Sequence, residues 1–386
     1  SEMGQGVITG LMMLVAEELD CGWGAMRFDY APVDKLYGNI AAVAEGVPFR
    51  PDDEGPLARS VRWAAHHLAR ELGFMMTGGS TSVKDLWQPM REAAAATRAT
   101  LVAAVARHWS LPAAQVALSE GRFSTTGGPA QPRSMALAEA VRLLNADTAP
   151  ASGYTLKSPA QFRLIGQRLP RVDTPAKVRG EAVFASDVRR PGMLFAAVRL
   201  SPVRGGAVRA VDAASVAAVQ AMPGVAAAGA SSSAIAEQLM RAARSERGFG
   251  FWSQGDVQQA LQSSARQLQA EYSAPYLAHT TMEPMTCTVE FLGDRATVWA
   301  STQVPGFARR AAARALGVDD ERVEIVMTYL GCGFGRRLEV DFVAQAAQIA
   351  RAFPGKAVQL IWSREDDVRH DFYRPACMAR FKAGLD

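Results

Sequence analysis

The sequence predicts a mixed α+β protein. Long alanine-rich segments with helical spacing dominate the first 150 residues, whereas strand and helix patterns alternate from about residue 235 onwards. The chain has 386 residues, enough for two or three domains at roughly 150 residues each. Mixed strands and helices over one continuous region are typical of α/β or α+β domains.

The first predicted domain covers residues 1–150. Its pattern predicts a buried helix over 7–19, a short strand over 27–31, a helix over 57–71, a long helix from about 83 to 108, and hairpin turns over 111–130. Ser80 or Thr81 is the expected N-cap of the long helix.

A polar stretch with Pro, Ser and Gly at 145–160 marks the first boundary. The second predicted domain, 160–228, is a small α+β unit with strands near 182–184, 193–199 and 207–211, a helix over 213–222 and a possible linker at 225–234. The third, 235–386, has predicted helices at 256–267, 304–316 and 339–352, and predicted strands at 267–272, 287–291, 296–300, 323–328 and 358–362.

Composition excludes several classes of protein. The 42 Lys and Arg against 38 Asp and Glu give a net charge of +4, and these charges are interspersed, which does not favour nucleic acid as a partner. The four cysteines lie far apart, which argues against a local zinc knuckle, a self-contained iron–sulfur site or a disulfide scaffold. No run of about 18 apolar residues is present. Both ends read as cuts in a longer protein, so an export signal would be invisible.

The strongest local motif is a predicted strand that enters the glycine-rich loop Gly331–Arg337 before a helix. Glycines allow backbone N–H groups to approach a ligand closely, and Arg336 and Arg337 would add charge for an anion. The alternative is an ordinary turn with exposed arginines. The spacing is neither that of a P-loop nor that of a dinucleotide fingerprint.

Three further segments combine glycine, hydroxyl and amide groups. Gly78–Ser82 precedes the long helix and could bind an anion through free N–H groups, or could be a simple cap. Gln5, between two glycines, could present its amide to a heterocycle or be solvated. Gln303 follows a strand, where α/β folds place ligand contacts, although Thr302 could be a cap.

A charged segment, 362–371, contains four acids, two arginines and His370. It could bind a metal or perform acid–base chemistry, but ion-paired surfaces of this composition are usually structural. The segment Met282–Pro284 could form a turn around a buried carboxylate. No Ser–His–Asp set can be assembled, which weakens a hydrolase interpretation.

These motifs together resemble the molybdopterin-binding large subunit of the xanthine oxidase family, in particular the branch of isoquinoline 1-oxidoreductase beta subunits and membrane-associated aldehyde dehydrogenases. The matching segments, in order along the chain, are SEMGQGV, MTGGSTS, GEAVFASDVRRPGML, MEP, STQVP, LGCGFGRR and WSREDDVRHDFYRP. As in that branch, the EMGQG segment precedes the small domain, which is the permuted order.

The resemblance implies molybdenum-cofactor-binding domains with an inserted hammerhead-like domain. It also implies molybdenum held by a pyranopterin dithiolene, with no direct protein ligand, usually in the cytosine dinucleotide form. The residues that match the family's cofactor-binding positions are Gln5, Gly79, Ser80, Thr81, Ser82, Gln303, Gly333, Phe334, Gly335 and Arg336.

The resemblance further implies hydroxylation of an N-heterocycle or an aldehyde with water-derived oxygen. The family's catalytic Glu lies beyond Asp386, so no catalytic residue is assigned in this chain, and Leu338 replaces the Glu that binds purines. Electrons would pass to a separate small [2Fe–2S] subunit and, in some members, to a cytochrome c. Export would place the protein in the periplasm or at a membrane, with a cytoplasmic location left open. The alternatives are a non-catalytic cofactor-binding or docking piece, and an unrelated nucleotide-binding protein.

Overall fold

In a computed structural model, the described residues are 1–44, 46–49, 52–126, 132–201, 231–245 and 254–385. They form a mixed α+β fold, as the sequence predicts. Among these residues, no helix has both the length and the apolar character needed to cross a membrane.

The N-terminal region is mainly helical. Its elements are α1 (Val7–Leu19), α2 (Ile40–Ala44), α3 (Pro56–Leu72), α4 (Ser82–Trp109), β1 (Val116–Ser119), β2 (Arg122–Thr125), β3 (Ser134–Ala136) and α5 (Leu137–Val141). Helices α1 and α4 pack together, and the three short strands form an antiparallel sheet in the order β1–β2–β3. A small core joins α4 to this sheet through residues that include Leu101 and Phe123.

The predicted strand at 27–31 is wrong. No strand pairs with this segment among the described residues, so its backbone forms no ladder. The rings of Phe28 and Tyr30 instead pack edge-to-face against Tyr329 in the C-terminal region. Aromatic residues at alternate positions therefore serve tertiary packing here rather than a sheet.

The middle region contains α6 (Thr174–Val178) and β4 (Leu194–Ala196). Strand β4 confirms part of the predicted strand at 193–199, but it pairs with a strand of the C-terminal region. Residues 182–184 contribute only one bridge, from Phe184 to Tyr329. The predicted strand at 207–211 and helix at 213–222 lie outside the described residues, so the small domain over 160–228 stays a prediction.

The C-terminal region holds the main sheet. Its elements are α7 (Ser232–Arg244), α8 (Val257–Ser263), β5 (Arg266–Ala274), β6 (Thr286–Phe291), β7 (Ala296–Ala300), α9 (Pro305–Leu316), β8 (Val323–Met327), α10 (Asp341–Arg351), β9 (Ala357–Ile361), α11 (Arg364–Arg369) and β10 (Cys377–Leu385). Helix α7 begins inside the stretch predicted as a linker, and α8 ends before the predicted 267 because β5 begins at Arg266.

The main sheet has the strand order β4–β9–β6–β7–β8. Strands β9, β6 and β7 are antiparallel neighbours, whereas β7 and β8 run parallel. Helices α9 and α10 cover this sheet with a core of small and aromatic side chains that includes Ala312, Phe342 and Ala346. Because β7 and β8 are parallel, the loops that follow them leave the sheet at the same edge. Gln303 and the Gly331–Arg337 loop are therefore brought side by side.

We expect Phe342→Ala to destabilise the protein by about 3–5 kcal/mol, because the ring is fully buried between α10 and the sheet and its removal leaves a cavity. Urea unfolding followed by circular dichroism measures this change. Phe195→Ala is the matched control: Phe195 is 65% exposed, so its loss should cost less than about 1 kcal/mol. Equal losses in the two variants would contradict this placement of the core.

Candidate functional site

The side-chain amide of Gln303 joins two of the segments singled out in the sequence. Its Oε1 accepts a hydrogen bond from the Gly335 N–H at 3.2 Å, and its Nε2 donates to the Thr77 carbonyl at 2.7 Å. The backbone of Gln303 bonds to the same two segments, through the Arg337 carbonyl and the Thr77 N–H, both at 2.9 Å. Gln303 is 2% exposed, so these bonds take the place of the hydrogen bonds to water that the residue loses on burial.

Gly333 allows the glycine-rich loop to approach Gln303 closely. A Cβ at position 333 would overlap the Met3 sulfur and would lie 2.7 Å from Oε1 of Gln303. The neighbouring residues Cys332, Phe334 and Gly335 all have positive φ, which costs energy at the two non-glycine positions. The loop thus keeps a strained path close to the amide, and Phe334 remains 56% exposed at its tip.

The expectation that Arg336 adds free charge for an anion is wrong. Its side chain is 1% exposed and forms a two-pronged ion pair with Asp341, at 3.0 and 2.9 Å. The guanidinium also lies over the rings of Trp362 and Phe372, with 5.4 Å to each ring centroid. Nε lies 3.4 Å from a carboxylate oxygen of Asp371. Only the backbone of Arg336 therefore remains a candidate for contact with a ligand.

Arg337 is buried as well, which also excludes the alternative of exposed arginines. Its guanidinium donates to the carbonyls of Cys332 and Ser301, at 2.9 and 3.0 Å, and to the Glu283 carboxylate at 2.9 Å. Burial lowers the pKa of Arg337, and the Glu283 charge opposes this shift. Glu283 also accepts from the N–H groups of Ser186 and Gly331, both at 3.1 Å. The segment Met282–Pro284, which the sequence left undecided, therefore carries a buried carboxylate.

The Gly78–Ser82 segment lies beside the same site. Gly79 and Ser80 have positive φ and are exposed, and Ser82 is the first residue of α4. Thr81 occupies the N-cap position, but its hydroxyl donates to the Gly78 carbonyl at 2.8 Å and caps no N–H of the helix. The start of α4 has no side-chain cap, which leaves donors and the positive end of the helix dipole available to an anion.

Gln5 is exposed, and within the described parts of the chain its amide bonds to the Met3 N–H and the Ser1 carbonyl of its own turn. The turn itself is held by Glu2, a buried residue that the sequence analysis did not single out. The Glu2 carboxylate accepts from the N–H groups of Gly4 and Gly6 at 2.8 and 2.9 Å. The sequence signal that could have identified Glu2 is an acidic residue a few positions before a helix that follows a glycine, since carboxylates stabilise helix N-termini.

The N-terminal turn reaches the same site as the other segments. The Glu2 carbonyl accepts from the Leu330 N–H at 3.2 Å, and the Ser1 hydroxyl donates to the Thr302 carbonyl at 2.7 Å. Arg171 holds this turn from the middle region by donating to the Gly4 carbonyl at 2.7 Å. The segments 1–6, 77–82, 301–303 and 331–337 therefore converge, as the four motifs require if they bind one ligand.

Arg171 is itself fixed by Asp173, which also pairs with Lys177 at 2.6 Å. Burial raises the pKa of the Asp173 carboxyl, but the hydrogen bonds and charges of Arg171 and Lys177 outweigh it and lower the pKa from 3.8 to about 2. The folded protein thus holds Asp173 in its charged form.

The charged segment 362–371 forms ion pairs and a short helix. Ser363 caps α11 by accepting from the Asp366 N–H at 3.1 Å, and Asp367 pairs with Arg364 at 2.7 Å. Asp371 accepts from Nδ1 of His279 at 2.8 Å. Within the described parts of the chain, no three His, Cys, Asp or Glu side chains lie together in a group that could hold a metal ion. These contacts support the interpretation of segment 362–371 as a structural, ion-paired segment.

Comparisons with known proteins agree with the resemblance seen in the motifs. Residues 241–386 match the molybdopterin cofactor-binding domain family. The whole chain is 30% identical to the isoquinoline 1-oxidoreductase subunit beta of Brevundimonas diminuta and 26% identical to a membrane-bound aldehyde dehydrogenase (pyrroloquinoline-quinone) of Gluconacetobacter polyoxogenes. It covers 54% and 51% of these proteins, so the chain spans about half the length of the curated relatives it matches.

Among solved structures, the chain is similar to the quinoline 2-oxidoreductase of Pseudomonas putida 86. The sequence identity is 18% and the TM-score is 0.40, with 57% of this chain and 37% of that chain covered.

We expect Glu283→Gln to destabilise the protein by about 3–5 kcal/mol, because the substitution leaves the buried Arg337 charge without its carboxylate. Denaturant unfolding measures the loss. Glu181→Gln is the control, since Glu181 and its partner Arg179 are both exposed and pairs of this kind contribute little to stability. A Glu283→Gln variant as stable as wild type would contradict the buried ion pair.

The depressed pKa of Asp173 predicts a pH-dependent effect of Asp173→Asn. A carboxyl whose pKa is lower in the folded state stabilises that state above its unfolded pKa, and the contribution disappears as the pH falls through the folded pKa. The free energy of unfolding of wild type should therefore exceed that of the variant by roughly 1–2 kcal/mol above pH 5. This difference should shrink between pH 4 and pH 2.

Urea unfolding of both proteins across this pH range measures the difference. Asp294→Asn is the control, because the exposed Asp294 lies 3.8 Å from Arg322 and should change stability little at any pH. A difference between wild type and Asp173→Asn that stays constant from pH 6 to pH 2 would contradict the assignment.

Proposed function

Because residues 241–386 match the molybdopterin cofactor-binding domain family, we propose that this chain is the molybdopterin-binding part of a molybdenum hydroxylase of the xanthine oxidase type. The observation that carries the proposal is the convergence of four separate segments around Gln303. Its side-chain amide joins the Thr77 and Gly335 segments, and the N-terminal turn contacts Thr302 and Leu330 beside it. A large anionic cofactor requires several backbone and hydroxyl donors from different parts of a chain, and this convergence provides them.

The residues at the site fit such a group. Gly333 supplies a close backbone approach that any side chain would fill, and the uncapped start of α4 supplies donors for a phosphate. The proposed contacts of the cofactor are the backbone and side chains of Gln5, Gly79, Ser80, Thr81, Ser82, Gln303, Gly333, Phe334 and Gly335, and the backbone of Arg336. We propose the cytosine dinucleotide form, because its pyrophosphate suits a helix N-terminus.

When bound, the cofactor supplies the redox centre that hydroxylates a carbon with oxygen from water. The chain's own residues bind and orient it. Gln303 fixes the distance between the Thr77 and Gly335 segments and retains a second N–H on Nε2 for a ligand. Glu283, Asp341 and Asp371, the carboxylates that contact the glycine-rich loop and its arginines, are all held in ion pairs or hydrogen bonds. We therefore assign no catalytic base among these three carboxylates.

The proposed substrate is an N-heterocycle related to isoquinoline, or an aldehyde. The names of the two whole-chain relatives support both classes. The absence of a purine-binding Glu at Leu338 makes xanthine a poor substrate. We propose a separate [2Fe–2S] subunit as the electron acceptor, with a cytochrome c beyond it, and a periplasmic or membrane-associated location for the complete protein.

A second candidate is a piece that binds the cofactor or docks a partner without turnover. Glu283, Asp341 and Asp371 are all paired with arginines, which favours this second candidate for residues 1–386 taken alone. Molybdenum and pterin analysis of the full-length protein and of residues 1–386, combined with dye-coupled oxidation of isoquinoline and aldehydes, separates the two. Cofactor and oxidation in the full-length protein support the enzyme, whereas cofactor without oxidation supports the second candidate.

In the full-length protein, Gly333→Ala should lower the molybdenum and pterin content at least tenfold, because its methyl group meets Gln303 and Met3. Gly10→Ala is the matched control: nothing lies within 4 Å of its added carbon, and alanine is favoured within α1. Metal analysis and pterin fluorescence measure both contents. A wild-type protein without molybdenum and pterin, or a Gly333→Ala variant that retains both, would contradict the proposal.

A further inference from the structure

His279 and Asp371 form a largely buried pair beside the glycine-rich loop, in which His279 is partly and Asp371 fully shielded from solvent. The Asp371 carboxylate accepts two hydrogen bonds from His279, one from the backbone N–H and one from Nδ1, the latter at 2.8 Å. The side chains are 9% and 1% exposed. The segments that carry them are also joined by the bridge between Leu277 and Arg374. The imidazole is thus fixed in both position and rotation.

Asp371 belongs to a chain of charges that ends at α10. Its carboxylate lies 3.4 Å from Nε of Arg336, and Arg336 pairs with Asp341 through its two other nitrogens. The rings of Trp362 and Phe372 cover the same guanidinium. This packing leaves Asp371 little freedom, so the direction of the imidazole is set by groups of the glycine-rich loop, of α10 and of the segment 362–372.

The other nitrogen of His279 faces the site. A Cβ built at Gly335 would lie 3.3 Å from Nε2, so this nitrogen is next to the backbone of the glycine-rich loop. Across the part of the chain that the structure describes, Nε2 has no hydrogen-bond partner. In the tautomer whose Nδ1–H donates to the Asp371 carboxylate, Nε2 carries a lone pair and is an acceptor.

We propose that His279 is a cofactor-binding residue whose Nε2 accepts a hydrogen bond from an N–H group of a pterin held on Gly333–Gly335. This inference rests on the proposed function, since it takes the loop as the seat of the pterin. A histidine with a purely structural role would need only the hydrogen bond from Nδ1 to the Asp371 carboxylate, which is already formed. The hydrogen bond to Asp371 fixes the ring, and the absence of a side chain at Gly335 leaves room for Nε2 beside the loop.

Two substitutions separate the roles of the two nitrogens. Asn places its amide nitrogen near the position of Nδ1, so His279→Asn keeps the bond to Asp371 and removes the group at Nε2. Gln places its amide near Nε2, so His279→Gln restores a polar group that faces the loop. His66→Asn is the matched control, because His66 is an exposed residue of α3.

The readouts are the molybdenum and pterin content of the purified full-length protein and the rate at which pterin is released in mild denaturant. We expect His279→Asn to release pterin roughly tenfold faster than wild type, the factor that one hydrogen bond contributes. His279→Gln should recover at least half of the wild-type content, and His66→Asn should match wild type. Melting temperatures of the cofactor-free proteins check that the fold is retained.

Release from His279→Asn at the wild-type rate would overturn the inference. It would also be overturned if His279→Gln and His279→Asn lost cofactor equally and lowered the melting temperature of the cofactor-free protein equally, because the residue would then be structural only. A wild-type protein that contains no pterin would instead reject the proposed function itself.

Discussion

The buried amide of Gln303 is the constraint on which the site depends. Its side chain and backbone make four hydrogen bonds, two to the Thr77 segment and two to the Gly335–Arg337 segment. A buried amide without partners costs several kcal/mol, so the segments cannot separate without losing that free energy. The parallel pairing of β7 and β8 brings Gln303 and the glycine-rich loop to the same edge of the sheet. Gly333 has no side chain, which allows the backbone of the glycine-rich loop to lie close to the Gln303 amide.

Buried ion pairs, rather than free charge, shape the surroundings of this amide. Arg336 and Arg337 follow the glycines directly, yet both guanidinium groups are buried and pair with carboxylates, and that of Arg337 also donates to the Cys332 carbonyl of the loop. Such pairs contribute little net stability, but removing one partner is costly, so they hold the loop in a defined position. Recognition of an anion at this site therefore falls to backbone N–H groups, hydroxyls and a helix N-terminus.

Periodicity in the sequence identified most helices and strands, because helices such as α10 and strands such as β6 bury one face or both. It failed for residues 27–31, where aromatic residues pack against Tyr329 instead of forming a ladder. The motifs located the segments of the site, but not the destinations of their side chains. Arg336 meets Asp371, and His279 meets the same carboxylate 92 residues along the chain. Local sequence carries no signal for pairs so distant.

Hydrogen exchange of the full-length protein with and without its cofactor tests the convergence most directly. The account predicts that amides in three separate segments, 4–6, 79–83 and 333–335, gain protection together when the cofactor is present, because one ligand covers all of them. Protection confined to one segment, or protection elsewhere with these amides unchanged, would contradict the claim that the segments form a single binding site.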